Sequence, residues 1–162
     1  MGARIVPASE GMTEAVQRIR AGKLVAFPTE TVYGLGANAL DAEAVAGIFA
    51  AKGRPATNPL IVHVSSASGA GDVIHDWTLD AEYLEHFWPG PLTLVLEKND
   101  LMPDIVTAGG RTVGVRVPDH PVALQLLRET GLPNCGPIRQ PLGGSIPHHR
   151  AARRRFAGAV GR

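Results

Sequence analysis

Between Leu24 and Thr130 the sequence alternates short apolar runs with segments of helical period, and a capping residue, a glycine or a proline marks the switches. No other feature constrains the fold as strongly. Leu24 to Phe27 reads as a buried strand stopped by Pro28, Leu60 to Val64 as a second strand and Leu92 to Leu96 as a third. Thr112 to Val117 sets Val113, Val115 and Val117 on one side against Thr112, Gly114 and Arg116 on the other, the pattern of a half-buried strand. Thr13 to Ala21, with Val16 and Ile19 three apart and Gly22 behind it, reads as a short helix. Asp41 can cap a helix from Ala42 to Lys52 that Gly53 ends. Leu79 to Trp88 reads as a helix broken at Pro89-Gly90-Pro91, and Pro121 opens one that runs to Thr130 and stops at Gly131. Strands separated by helices predict an α/β (α+β) domain with a largely covered sheet.

The 162 residues suit one domain with a real core. Gly, Pro or charge interrupts every apolar stretch, which excludes a transmembrane span, and the N-terminus lacks the pattern of a signal peptide. Cys135 stands alone, so neither a disulfide framework nor a cysteine zinc cluster can be built within the chain. A soluble cytoplasmic protein without a membrane partner is the expectation. Its net charge of +1 conceals an asymmetry. Residues 1–132 hold 10 Lys/Arg and 15 Asp/Glu, net −5, whereas 133–162 hold 6 Arg and no acid, net +6. An acidic body argues against broad nucleic-acid binding, while an Arg-rich tail is the pattern of an arm that binds RNA.

Three segments could carry chemistry. Phe27-Pro28-Thr29-Glu30-Thr31-Val32-Tyr33-Gly34-Leu35-Gly36 follows a strand and reads as a tight polar loop, either at a ligand-binding strand end or as a turn whose threonines satisfy their own backbone. Lys52-Gly53-Arg54-Pro55-Ala56-Thr57-Asn58-Pro59 offers a point charge and a planar fork in a proline-stiffened segment, suited to a polyanion or simply to a solvated helix end. Thr112, Gly114 and Arg116 share one strand face, where the glycine lets a ligand approach the backbone; an ordinary solvent face has the same pattern. His63, near a strand end, fits a hydrogen-bonded filler as well as a ligand contact. No P-loop, GxGxxG loop or GxSxG elbow occurs, and His120, His148 and His149 lack the spacing of a zinc site.

Taken in order, KLVAFPTETVYGLG, KGRPATNPLIVHV, WPGPLTLVL and RTVGVRVPDHPVALQLL resemble the YrdC family of L-threonylcarbamoyladenylate synthases over roughly residues 10–133. The resemblance implies a twisted open mixed sheet flanked by helices. It also implies a nucleotidyl transfer for tRNA modification: L-threonine, bicarbonate and ATP give threonylcarbamoyl-AMP and pyrophosphate. Under it, Lys52, Arg54, Asn58 and Thr112 line the ATP side, with Lys52 and Arg54 stabilising the reacting phosphates. Thr31, His63 and Arg116 hold threonine, Arg116 through the carboxylate. Mg²⁺ accompanies the ATP, with no organic cofactor or resident metal. Partners extend to the downstream threonylcarbamoyl-transfer machinery and to tRNA or double-stranded RNA.

The family continues after GLP with P-S-A-N-x-S-G and S-P-T, and this chain departs from that pattern after Gly131-Leu132-Pro133. The codons of Ile138 to Ala151, read from the second base, can spell Ser-Ala-Asn-Arg-Ser-Gly-Glu-Ala-Ser-Pro-Thr-Thr-Ala. The expectation is therefore a family domain over 1–133, incomplete at its C-terminal end, followed by an out-of-frame, disordered tail over 134–162 and an impaired activity. A non-catalytic RNA-binding or regulatory module, and an inactive product of a damaged gene, are the competing functional classes.

Overall fold

The computed structural model describes residues 4–30, 32–77, 81–137 and 155–158. In chain order these form β1 (Arg4–Pro7), α1 (Ala8–Arg20), β2 (Val25–Pro28), β3 (Tyr33–Asn38), α2 (Ala42–Lys52), β4 (Leu60–His63), α3 (Ala67–Ala70) and α4 (Ala81–Leu84). Then follow β5 (Leu94–Glu97), α5 (Asp104–Thr107), β6 (Thr112–Arg116), α6 (Pro121–Thr130), β7 (Asn134–Pro137) and β8 (Arg155–Gly158). The strands make one mixed sheet in the order β1-β8-β2-β3-β7-β4-β6-β5. β4 and β6 run parallel. Their neighbours on either side, β7 and β5, run antiparallel to them. The mixed α/β architecture expected from the alternation is the one observed.

Local signals account for the two best-defined helices. Asp41 caps α2 by accepting from the N–H groups of Glu43 and Ala44 at 3.0 and 3.1 Å, and Gly53 ends it in the left-handed region at φ 58°. α6 opens on Pro121 and stops at Gly131, φ 65°. α1 starts at Ala8 rather than Thr13 because the packed face reaches further: Gly11 and Met12 are already buried. The helix expected over Leu79 to Trp88 shrinks to α4, with 78–80 outside the described residues, and the N–H groups of Phe87 and Trp88 both close onto the Leu84 carbonyl at 2.9 Å. Pro89 disfavours helical backbone just before it.

Apolar layers lie on both faces of the sheet. On one, Ala37, Val62, Val113, Val115 and Cys135 pack with Val45, Ile48 and Phe49 of α2 and Val106 of α5. On the other, Val25 and Phe27 pack with Met12, Val16 and Ile19 of α1 and Leu126 of α6. Full burial of one such side chain contributes about 1.5–3 kcal/mol. Along β6 that second face changes character: Thr112 is exposed and Gly114 half-buried, whereas Ile61 and His63 of β4 and Arg116 of β6 are buried. This face thus opens at the Thr112 end of β6.

Two expectations are corrected here. The run expected as a polar loop to Gly36 is a hairpin: Pro28 pairs with Tyr33 and Val25 with Gly36, so the loop proper is 29–32. The second glycine has a steric purpose, because a Cβ at Gly36 would lie 2.4 Å from Cε1 of Phe27. Regular structure also does not stop at Pro133. β7 fills the slot between β3 and β4, pairing Cys135 with both Ala37 and Val62. β8, expected as part of a disordered tail, pairs with both β1 and β2. Each would otherwise leave a row of open backbone donors and acceptors. Among the described residues, no helix is long and apolar enough to cross a membrane.

Candidate active site

One row of side chains crosses four strands on this second face. Asn38 of β3 pairs with Asn134 of β7, Asn134 with His63 of β4, and His63 with Arg116 of β6. Residues in register share a face, so four polar groups stand side by side on strands about 4.8 Å apart. Three of them, His63, Arg116 and Asn134, are buried, at 8%, 8% and 0% exposure.

Arg116 is the best-anchored. Its Nε donates to the Gly90 carbonyl at 3.0 Å and its Nη2 to Oε1 of Glu30 on the hairpin loop, an ion pair whose side chains are 9% and 20% exposed. His63 is neutral around pH 7, since burial pushes its imidazole down to about 4 against a smaller opposing effect of the Asn134 backbone. Its Nδ1 has no side-chain or backbone partner within hydrogen-bonding geometry, and its ring meets Phe27 edge-on with centroids 6.3 Å apart. The imidazole therefore offers a hydrogen bond and no charge.

The second group lies at the other end of the parallel pair. Lys52 closes the last turn of α2, Gly53 ends the helix, and the N–H of Arg54, just beyond, returns to the Phe49 carbonyl at 3.0 Å. Asn58 holds the guanidinium: with its amide oxygen facing Arg54 it accepts from Nε at 3.1 Å and from Nη2 at 3.3 Å. Arg54 Nη1 is buried without a partner. Burial, and then the charge of Arg54, lower the Lys52 ammonium below its usual range. Two adjacent cations, one with an unsatisfied buried donor, favour an anion. Thr112 opens β6 at this end, opposite Glu97, and is exposed. Thr112 and Arg116 lie on one strand face four positions apart, roughly 13 Å. Gly114 lies between them, and a Cβ there would come within 3.3 Å of Thr93 Cγ2.

The structure thus collects His63 with Arg116, holds Arg54 with Asn58 beside Lys52, and places Thr112 at the far end of the floor. Thr31 lies outside the described residues. Thr29, two positions earlier, closes on the hairpin's own backbone, donating to the Val32 carbonyl at 2.6 Å and accepting from the Val32 N–H at 3.1 Å.

A family model described as "Telomere recombination", covering Sua5, YciO and YrdC proteins, matches residues 17–152. The chain belongs to the Sua5/YciO/YrdC family. It is 52% identical over 137 residues to a threonylcarbamoyl-AMP synthase of Pyrococcus abyssi, a match covering 82% of this chain and 40% of that one. The Bacillus subtilis threonylcarbamoyl-AMP synthase is 51% identical over 138 residues, 84% of this chain and 40% of its own. The crystal structure of P. abyssi Sua5 complexed with L-threonine superposes with a TM-score of 0.75 at 52% identity, covering 78% of this chain and 37% of that one. This chain therefore spans about 40% of the length of these curated relatives. The family match runs past Pro133 to residue 152 and so takes in part of the departing segment.

Sequence reading missed two of the residues beside Arg116 and His63. Glu30 was visible only as one polar residue in a loop, and nothing local ties it to Arg116, 86 positions away. Asn134 sits in Asn-Cys-Gly-Pro, a run with no strand period, and its burial follows from the slot between β3 and β4.

Proposed function

We propose that this chain provides the ATP and threonine sites of a threonylcarbamoyl-AMP synthase. The observation that carries the reading is the polar layout of one sheet face, with a paired guanidinium at one end and a cationic, partly unsatisfied cluster at the other. Arg116 takes the threonine carboxylate, His63 a neutral hydrogen bond, and Thr31 a further contact. The amine attacks bicarbonate carbon, water leaves, and the carbamate oxygen formed attacks the α-phosphate of ATP as pyrophosphate departs. No protein nucleophile is needed. Lys52 and Arg54 hold and neutralise the phosphates, Asn58 fixes Arg54, and Thr112 lines the nucleotide side, so the enzyme's contribution is positioning and electrostatics. Mg²⁺ would arrive with the nucleotide. The product is an activated acyl group for a transferase acting on tRNA in the cytoplasm. Pyrophosphate release that requires L-threonine, bicarbonate and ATP together tests the assignment; release without threonine overturns it.

We further propose that the residues from Asn134 onward are out of frame, in the gene or in its sequencing. Asn134 supports this. It is fully buried in mid-sheet, and neither its Nδ2 nor its Oδ1 has a partner. Read one base on, its codon gives Ile or Thr and that of Cys135 gives Ala or Val, residues a buried strand accepts without an orphaned amide. The tail arginines are then not RNA contacts. Resequencing the locus decides it, and an unbroken frame over codons 133–138 overturns the reading.

A further inference from the structure

Arg116 does not wait for its ligand alone. Its Nη2 is paired with Oε1 of Glu30, and the pair is largely sheltered. The contact occupies one carboxylate oxygen, and two of the five donors that a guanidinium carries are used, one on Glu30 and one on Gly90. With His63 neutral, the charges named at this end of the row are one positive and one negative. An anion entering here would confront Glu30, and a simple cation would confront Arg116. A zwitterion meets both with opposite charge and leaves the site neutral, which is the cheapest way to fill a sheltered ion pair.

We propose that Glu30 is a specificity-determining residue that accepts the α-ammonium of the bound amino acid while Arg116 takes its carboxylate. The proposal rests on the threonine site assigned above. Its consequence is selectivity for a free α-amino acid over any acid of the same shape that lacks the amine. Glu30 is placed for this by the hairpin: Thr29 and Val32 close the loop on each other, so the carboxylate is presented from a backbone-anchored turn between β2 and β3.

The test is calorimetric titration of the full chain with L-threonine and with the hydroxy acid that carries a hydroxyl in place of threonine's amine. Loss of one charge-assisted hydrogen bond corresponds to about tenfold or more in affinity, so the unaltered chain should prefer threonine by at least that factor. Glu30→Gln should weaken threonine by a similar factor, leave the hydroxy acid within about threefold, and so erase most of the preference. Thermal melting checks that the variant is folded, and the two-ligand comparison on the unaltered chain stands without it. Equal affinity for the two ligands overturns the proposal. So does threonine binding as tight or tighter in Glu30→Gln, which would make Glu30 a mere competitor for Arg116. If the unaltered chain binds neither ligand, the threonine site itself falls, and this proposal with it.

Discussion

β6 and β7 flank the same strand, β4, and each buries a polar side chain beside His63: Arg116 on one side, Asn134 on the other. Arg116 is met by the Glu30 carboxylate and the Gly90 carbonyl, while both polar atoms of Asn134 are unmatched. Burial alone is therefore no mark of function in this sheet. A buried polar group becomes informative through what converges on it. Around Arg116 a hairpin loop and the turn at Gly90 both contribute an acceptor; around Asn134, among the described residues, no acceptor or donor meets the amide.

The largest way to break this comparison is to remove each side chain in turn. Arg116→Ala removes the guanidinium that would take the threonine carboxylate, a charge-assisted contact worth about 1.5–3 kcal/mol, so threonine-dependent pyrophosphate release should fall by about one to two orders of magnitude. Asn134→Val should leave whatever rate the chain has unchanged. Steady-state assays of both variants decide it. If the valine variant loses activity as the alanine variant does, Asn134 is a ligand contact and the out-of-frame reading loses its structural support.

His63, between the two, sharpens the comparison through pH. Its folded-state value of about 4 lies below the ordinary 6.5, so the unfolded chain binds the proton first as pH falls. The associated stability is complete above about pH 6.5 and drains away down to about pH 4, amounting to about 3 kcal/mol at roughly 1.4 kcal/mol per pH unit. Urea midpoints measured from pH 7 to pH 4 should fall steeply, and His63→Gln should flatten that component. A midpoint that stays level across the window would show that His63 is not held neutral by burial.

Asn134 supplies a smaller effect of opposite sign. Replacing it with valine removes an unmatched buried amide, worth about 1–3 kcal/mol, and at roughly 2–4 °C per kcal/mol the melting temperature should rise by several degrees. Calorimetric melting gives the answer. A lower melting temperature would mean that the amide is satisfied in solution.

What the sequence disclosed divides along the same line. α2 and α6 were legible to their last residues, because Asp41, Gly53, Pro121 and Gly131 act on backbone groups within a turn of themselves. β4 and β6 were legible from apolar runs that needed no partner to be recognised, and with them His63, Arg116 and Thr112. β3 was not, since Gly34 and Gly36 argue against a strand until Phe27 is seen lying across Gly36. β7 was not, since only the gap between β3 and β4 makes a strand of Asn-Cys-Gly-Pro. The Glu30–Arg116 pair was invisible for the same reason: long-range pairing leaves no period in the chain.

The smallest prediction tests whether the legible part is as local as this implies. Asp41 contributes through two N–H groups of α2, at 3.0 and 3.1 Å, and Asn can accept the same bonds whereas Ala cannot. Asp41→Ala should therefore cost about 1 kcal/mol, and Asp41→Asn only a few tenths. Equilibrium urea unfolding of the two variants separates these values. Equal losses would mean that the Asp41 charge matters more than its cap, through the positive end of the helix or through contacts outside α2. The boundary of α2, and the placing of Lys52 and Arg54 that depends on it, would then be a tertiary property after all, and the contrast with β7 would narrow.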